Sequence, residues 1–159
     1  MGGCMRVWPS WARGSVVIRE RSLLDRYAER AKAIYLADPR VGDLAATPEP
    51  ALRQLREVLA QPGYDVFHGA STLITLYATG VHDVPECYLA AQNLMLAAYA
   101  MGLGSCPIGL SLPLMNQPEV KDELGVPASV VAALPIVVGH PAERPDATMR
   151  NPPRVLYRR

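Results

Sequence analysis

The residues best suited to chemistry lie in one glycine-rich stretch, AAYAMGLGSCPIG, which runs from Ala97 to Gly109. Gly102, Gly104 and Gly109 lack the GxGxxG spacing of a dinucleotide-binding loop, and they follow a helix-like run where that loop would precede a helix. The segment 104–109 has the GxxxxG spacing of a phosphate-binding P-loop, but Leu110 stands where the lysine is needed. Both phosphate-loop hypotheses are therefore rejected.

Cysteine and histidine chemistry is only weakly indicated. Cys106 follows the C-terminal end of the helix-like run, where the negative end of the helix dipole disfavours a thiolate. The sequence therefore predicts a buried structural cysteine. His68, His82 and His140 are far apart along the chain, and the segment HDVPEC at 82–87 matches no zinc-ligand spacing, so no metal site is predicted.

A flat ligand fits the same stretch better. Glycine lets a backbone approach a planar ring closely, and Pro107 with Ile108 presents a rigid apolar surface beside Gly109. Backbone amides there could meet the polar edge of such a ring. The residues alone favour this interpretation only modestly over the plain end of a helix.

The composition limits the class of protein. The chain has 159 residues, is 50% apolar and carries a formal net charge of +1, so we expect one globular domain with no nucleic-acid partner. Three cysteines without a CxxC pair, and no secretory leader, favour a reduced, cytoplasmic protein. Residues 87–118 include no charged side chain, but glycines and prolines interrupt the run, so we expect a buried or interfacial helix with no membrane partner.

The elements that must position the glycine-rich stretch form an α+β pattern. We expect a capping box at Ser22 and Asp25, a helix cap near Thr47, and a left-handed residue at Gly102 that ends a helix apolar on all sides. The expected strands are 15–18, 71–78 and 132–140, the last interrupted by Pro135. The expected helices are about 22–37, about 86–101 and, between them, one that carries Leu52, Leu55, Val58 and Leu59 and stops at 61–63; short helical turns closed by Gly125 follow.

The segments, taken in order, resemble one known family. The segment 87–109 is similar to the central helix and following loop of the FMN-dependent nitroreductases. SVVIRERSLLDRYAERAKA resembles their early strand and helix, and DVFHGASTLITLYA resembles a strand entry in which Ser71 replaces the usual proline. ALPIVVGHPAERP resembles the late strand and turn, with His140 for tyrosine, and RNPPRVLYRR resembles an arginine-containing tail.

The resemblance implies a nitroreductase-like fold, in which helices flank a mixed, mainly antiparallel sheet. It also implies an intertwined homodimer with the central helix at the interface and FMN between the subunits. Pro107, Ile108 and Gly109 would line the isoalloxazine ring, and Arg150 with Arg154 would hold the phosphate. No catalytic acid, base or nucleophile is assigned, because the flavin carries the chemistry.

The activity implied is hydride transfer from NAD(P)H, through FMN, to a nitroaromatic, a quinone or a similar planar acceptor. We expect an irregular segment at 1–14 and a nitroreductase-like domain at 15–159. The family's N-terminal Arg-Ser-x-Arg motif is absent, which indicates an N-terminally shortened member in which Arg13 could substitute. Two alternatives stay open: a degenerate dimer without flavin that acts as a binding or regulatory module, and a flavin-dependent dehalogenase or ring-opening enzyme.

Overall fold

A computed structural model describes residues 5–7, 14–41, 46–143, 149, 151 and 152. The strands are β1 (Met5–Val7), β2 (Gly14–Ile18), β3 (Thr72–Ala78), β4 (Gly104–Pro107) and β5 (Val131–Gly139). The helices are α1 (Arg21–Ala37), α2 (Glu49–Leu59), α3 (Val84–Ala100), α4 (Leu112–Met115) and α5 (Pro118–Leu124), with 3-10 turns at Val81–Asp83 and Gly109–Ser111.

The strands form one sheet in the order β1-β2-β3-β5-β4, and each pairing between its described strands is antiparallel. This confirms the predicted α+β class and the mainly antiparallel sheet. Two local expectations were wrong. The segment 1–14, expected to be irregular, contains β1, because Met5–Val7 pairs with β2. The strand β4 is absent from the expected strands, because a four-residue run with glycine and proline at its ends carries no strand pattern.

Pro135 does not interrupt β5, although a proline in a central strand removes a hydrogen-bond donor. The N–H of Ile108 donates to the carbonyl of Pro135 at 2.9 Å, so the backbone of Pro135 faces β4. The bond that Pro135 cannot return to the Ile108 carbonyl is replaced by Ser111, whose N–H and hydroxyl both donate there, at 3.1 and 2.9 Å. The strand therefore continues through Pro135, with the carbonyl of Ile108 satisfied by Ser111.

The main core lies on the sheet face that α1, α4 and α5 cover. Its residues are mostly large and aliphatic or aromatic, which gives the close packing that a protein interior needs. They include Val16, Ile18, Leu24, Tyr27, Phe67, Leu73, Tyr77, Leu114, Met115, Val120, Leu124 and Val137. A smaller cluster of Ala78, Cys87 and Ala133 lies where α3 meets the sheet.

A polar network joins α1 to α5 at the rim of this core. The hydroxyl of Tyr27 donates to Glu123 at 2.8 Å, and Arg26 pairs with the same carboxylate. Arg30 lies 3.7 Å from Glu123 and donates to the Gln117 side chain at 3.1 Å. Both guanidinium groups also lie over the Tyr27 ring, 5.8 and 5.7 Å from its centroid. These contacts hold α1 against α5 within one chain.

The residues at the N-caps of α1 and α2 differ from those predicted. The expected capping box at Ser22 and Asp25 was wrong: the helix begins one residue earlier, the N-cap is Glu20, and Ser22 donates to the Glu20 side chain at 2.6 Å. Asp25 instead pairs with Arg21, one turn earlier, at 2.7 Å. The N-cap of α2 is Pro48 rather than Thr47, and no side-chain hydrogen bond caps that helix.

Both predicted helix ends are confirmed. Gly102 has φ +78 and Gly125 has φ +62, the left-handed region that favours glycine. Beyond α3, the N–H of Leu103 donates to the carbonyl of Ala98 at 2.9 Å, and that of Gly102 donates to Tyr99 at 3.0 Å. This Schellman pattern turns the chain sharply from α3 into β4.

The helix α3 is not buried within the chain, although its all-round apolar sequence predicted a central position. Its buried residues are only Cys87, Ala91 and Ala98, all of them small. The large apolar side chains of the helix point outwards, and Leu89 and Tyr99 are 71% and 78% exposed. In the part of the chain that the structure describes, no helix is both long and apolar enough to span a bilayer.

Candidate functional site

The candidate site surrounds β4, which lies at one end of the described sheet. Hydrogen bonds alternate along an antiparallel pair, and Ile108 already donates to β5. The backbone groups of Gly104 and Cys106 therefore face β5, whereas those of Ser105 and Pro107 face away from it. Because proline has no N–H, Ser105 supplies the one strand amide of β4 that points off this edge.

A groove of about 470 Å³ follows the turn from α3 into β4. Its volume falls within the range of small-molecule sites, roughly 300–1,000 Å³. Its lining is small and mostly apolar, with one aromatic side chain: Tyr99, Ala100, Gly102, Leu103, Gly104, Ser105 and Pro141. Among the residues that the structure describes, no charged side chain lines this groove, which suits the uncharged part of a planar ligand.

Gly104 keeps this groove open. A Cβ atom added there would lie 3.3 Å from the Cβ of Pro141, which is tighter than ordinary van der Waals contact. Gly102 contributes in another way, because its positive φ makes the turn and a Cβ there would meet nothing within 4 Å. Larger residues at position 104 would therefore push Pro141 and narrow the groove.

A second groove, of about 270 Å³, shares Gly104, Ser105 and Pro141 with the first. His68, His140 and Cys106 also line it. The prediction that Cys106 is buried was wrong: the thiol is exposed and lines this groove, on the strand at one end of the described sheet. In the described ranges, no three cysteine, histidine or acidic side chains come close enough to hold a metal.

The backbone around His68 is shaped by Asp65. The two carboxylate oxygens of Asp65 accept from the N–H groups of Phe67 and Gly69, each at 2.8 Å. His68 itself has φ +54, an uncommon conformation for a residue with a side chain. This turn places His68 at the second groove. Pairing of Thr72 with Val138 between β3 and β5 brings His140 to the same place.

Pro107, Ile108 and Gly109, which were predicted to line the isoalloxazine ring, differ in their exposure. Pro107 and Gly109 are exposed, whereas the side chain of Ile108 lies in the main core. The backbone N–H and carbonyl of Ile108 are both used, by Pro135 and Ser111. Ile108 therefore anchors this segment, while Pro107 and Gly109 lie at the surface and neither is among the residues that line the two grooves.

Comparison with known proteins identifies the family. A model described as the nitroreductase family matches residues 12–140. The chain belongs to the nitroreductase family. An FMN reductase (NADPH) of Bacillus subtilis (strain 168) is 39% identical over 73 residues, which make up 45% of this chain and 28% of that protein. An NADPH-flavin oxidoreductase of Vibrio harveyi is 38% identical over 69 residues, 43% of this chain and again 28% of the relative.

Solved nitroreductase structures share the fold. A nitroreductase with bound FMN from Desulfitobacterium hafniense DCB-2 aligns with a TM-score of 0.71 at 17% identity, covering 93% of this chain and 76% of that one. One from Bacteroides fragilis NCTC 9343, also with bound FMN, gives 0.69 at 20% identity, covering 98% and 80%. An iodotyrosine deiodinase bound to FMN and 3-iodo-L-tyrosine gives 0.62 at 21% identity, covering 94% and 77%.

The cationic residues of this nitroreductase-family chain lie apart from the two grooves or outside the described residues. Arg13, Arg150 and Arg154, which the sequence put forward for a phosphate, belong to the latter group. Both lysines of the chain close loops: Lys32 donates to the carbonyl of Tyr64 at 3.0 Å, and Lys121 donates to that of Val130 at 2.7 Å. Neither lysine lines the two grooves beside β4.

Sequence reasoning missed Tyr99, Ser105, His68 and His140 as groove residues. The strand order and the β3–β5 register bring them together, and neither is visible as a local pattern. The change from helical spacing to Gly-Leu-Gly-Ser was the one available signal, because it marks where α3 ends and an extended segment begins.

Proposed function

We propose that this nitroreductase-family chain is an FMN-dependent oxidoreductase, which transfers hydride from NAD(P)H to a nitroaromatic, a quinone or a similar planar acceptor. Family membership and the names of its relatives, an FMN reductase (NADPH) and an NADPH-flavin oxidoreductase, support the cofactor and the reductant. The single observation that carries the proposal is the groove beside β4, whose floor is formed by glycines and whose described lining residues carry no charge.

The described residues fit the ring system of FMN. Gly102 and Gly104 keep the floor of the groove free of side chains, and Ser105 turns a strand amide and carbonyl off the sheet edge. Pro107 and Gly109 would present a rigid surface to the ring, held in place by the buried Ile108. Bound FMN would supply the redox chemistry, and these residues would orient the ring and pair with its polar edge.

The phosphate would be held by arginines from the C-terminal part of the chain. We propose Arg150 and Arg154 for this role, because a phosphate prefers planar, charge-assisted donors, and among the described residues of the two grooves the basic side chains are those of His68 and His140. The sequence supports this assignment through the likeness of RNPPRVLYRR to the family's arginine-containing tail.

We further propose a cytoplasmic homodimer formed by the domain at 15–159. Its support is the outward face of α3, where Tyr88, Leu89, Leu96 and Tyr99 are between 49% and 78% exposed. An exposed apolar patch of this kind marks an interaction surface. Tyr99 lies on this face and also lines the first groove, so a partner on α3 would border the proposed flavin site.

The test is flavin binding by the full chain. Purified protein titrated with FMN should quench flavin fluorescence and should then oxidise NAD(P)H when a quinone is added. Gly104→Val should weaken FMN binding at least ~10-fold, about 1.4 kcal/mol, by narrowing the groove against Pro141. Gly80→Val is the matched control, because a Cβ at position 80 meets nothing within 4 Å and lies outside both grooves.

Arg150→Gln and Arg154→Gln provide the phosphate arm of this test. Each should weaken binding of FMN more than binding of riboflavin, which lacks the phosphate, because a charge-assisted contact is lost. A wild-type protein that is colourless after incubation with FMN and removal of the unbound FMN would refute the proposed activity. The same result would favour the alternative of a flavin-free binding module.

A further inference from the structure

Two side-chain amides interrupt the exposed apolar face of α3. Gln92 and Asn93 are both exposed, and the chain has no charged side chain from 87 to 118. Around them the helix presents alanines and large apolar residues. Two adjacent carboxamides therefore place donors and acceptors side by side in the middle of this surface.

The amides occupy the middle of the helix. Gln92 is the central residue of the 17 in Val84–Ala100. On one stripe Asn93 lies between Leu89 and Leu96, and on the next stripe Gln92 lies between Tyr88 and Tyr99, since residues three, four and seven apart share a helix face. Each stripe thus has an amide at its centre and an apolar group towards each end.

This arrangement is suited to a second copy of the same helix. Covering the face with another chain would remove water from both amides, which costs free energy unless they find new partners. A carboxamide carries two donors and an acceptor, so it can pair with an identical carboxamide. In a two-fold interface, the residues at the crossing point meet their own copies.

We propose that the two α3 helices of the homodimer cross at Gln92 and Asn93, whose side-chain amides pair across the two-fold axis and fix the register. The inference rests on the proposed dimer. The partner is a second copy of this chain, because the middle of the face carries amides and no charge, and so matches itself, while Glu86 lies at the start of the helix. A polar residue that sets register in an apolar seam has this role in coiled coils.

Disulfide trapping of the full chain, loaded with FMN, tests the crossing point. On a Cys4→Ser, Cys106→Ser background, three variants carry one new cysteine each: Gln92→Cys, Tyr88→Cys and Tyr99→Cys. The native Cys87 stays, because it is only 4% exposed. A disulfide requires Cα atoms within about 7 Å, so only residues near the axis should link to their own copy. The Gln92→Cys yield should exceed the other two at least ~5-fold.

The role of the amide is tested by adding Asn93→Leu to each trapping variant. The dimer should persist, because an apolar side chain replaces a polar one, but the preference for position 92 should fall at least ~3-fold as other registers become accessible. Asn93→Gln, which keeps the carboxamide, should restore the preference. A purely space-filling role would give the same ratio for all three side chains.

The outcomes separate the register from the proposed function. A dimer that binds FMN but links equally at all three positions, or best at either end, overturns the crossing point alone. A ratio unchanged by Asn93→Leu overturns the amide pairing. A monomer overturns this inference, and FMN titration of the same sample then decides the proposed activity independently.

Discussion

The helices α1 and α3 have the same length, 17 residues, and opposite surroundings. In α1 six residues are buried, among them Leu24, Tyr27 and Tyr35, and its polar side chains pair with neighbouring elements. In α3 only three small residues are buried, while Leu89 and Tyr99 face outwards.

The difference shows that α1 buries its large apolar side chains within its own chain, whereas α3 does not. A helix with one apolar stripe, such as α1, removes that stripe from water by packing it on a sheet. A helix that is apolar on all sides can pack only one side on its own sheet, so α3 keeps a second apolar side exposed. The elements that end α3 also build the candidate site, which places the proposed interface and the ligand groove next to each other.

The largest effect is expected when charged residues are placed on the outward face of α3. Leu89→Glu with Leu96→Glu should weaken dimerisation at least ~1,000-fold, about 4 kcal/mol, because unpaired carboxylates would be buried between the copies. Sedimentation over a range of protein concentrations measures the effect. Leu36→Glu, at the partly exposed leucine of α1, is the control and should leave the association constant unchanged.

The next effect concerns alanine substitutions in the two helices. Leu24→Ala in α1 should lower the free energy of unfolding by about 3 kcal/mol at every protein concentration, since it leaves a cavity in the main core. Leu96→Ala in α3 should act only where the protein is dimeric. Urea unfolding at two concentrations distinguishes them, and a large concentration-independent loss for Leu96→Ala would contradict the exposed position of that residue.

The smallest effect comes from the polar network of α1. Tyr27→Phe removes the hydrogen bond to Glu123 and should cost about 1 kcal/mol at neutral pH. Tyr88→Phe, on the outward face of α3, is the matched control. Urea midpoints of the two variants measure the difference, which should vanish if the Tyr27 hydroxyl were solvated in the folded chain.

The same network should make stability depend on pH at both extremes. Burial would raise the pKa of Glu123, but the hydrogen bonds from Tyr27 and Arg26 and the positive charges of Arg26 and Arg30 outweigh it and lower that pKa below 4.5. This contribution is present above pH 4.5 and is lost as the pH falls through the folded pKa.

Burial, and then the hydrogen bond to Glu123, raise the pKa of Tyr27 above 10.0, so its contribution is present below pH 10.0 and is lost as the pH rises through the folded pKa. Tyr27→Phe should flatten both limbs of the urea midpoint plotted against pH. The Tyr88→Phe control should keep the wild-type shape.

The elements with strong periodicity could be predicted from the sequence. The long helices, the buried strands and the glycine at the end of α3 follow from local patterns, and the structure places them within two residues of the predictions. The capping box failed because Arg21 competes for Asp25 and Glu20 binds Ser22. Such a competition between nearby charged side chains is decided by geometry that the spacing does not contain.

The candidate site was predictable in part. The segment after Gly102 was recognised, but its residues could not be assigned to core or groove, because that depends on where β4 lies in the sheet. Cys106 in β4 is exposed, whereas Ile108, the residue directly after that strand, is buried in the main core. The approach of His68 to His140 depends on strand pairing between residues far apart in sequence.

The shape of β4 has a consequence for solubility. An exposed sheet edge can recruit a strand from another molecule and start aggregation. This strand has only four residues, and at Pro107 the outward position offers no N–H donor. A foreign strand would find one amide, at Ser105, where an extended ladder needs several. The edge that leaves room for a small ligand is therefore a poor template for a growing fibre.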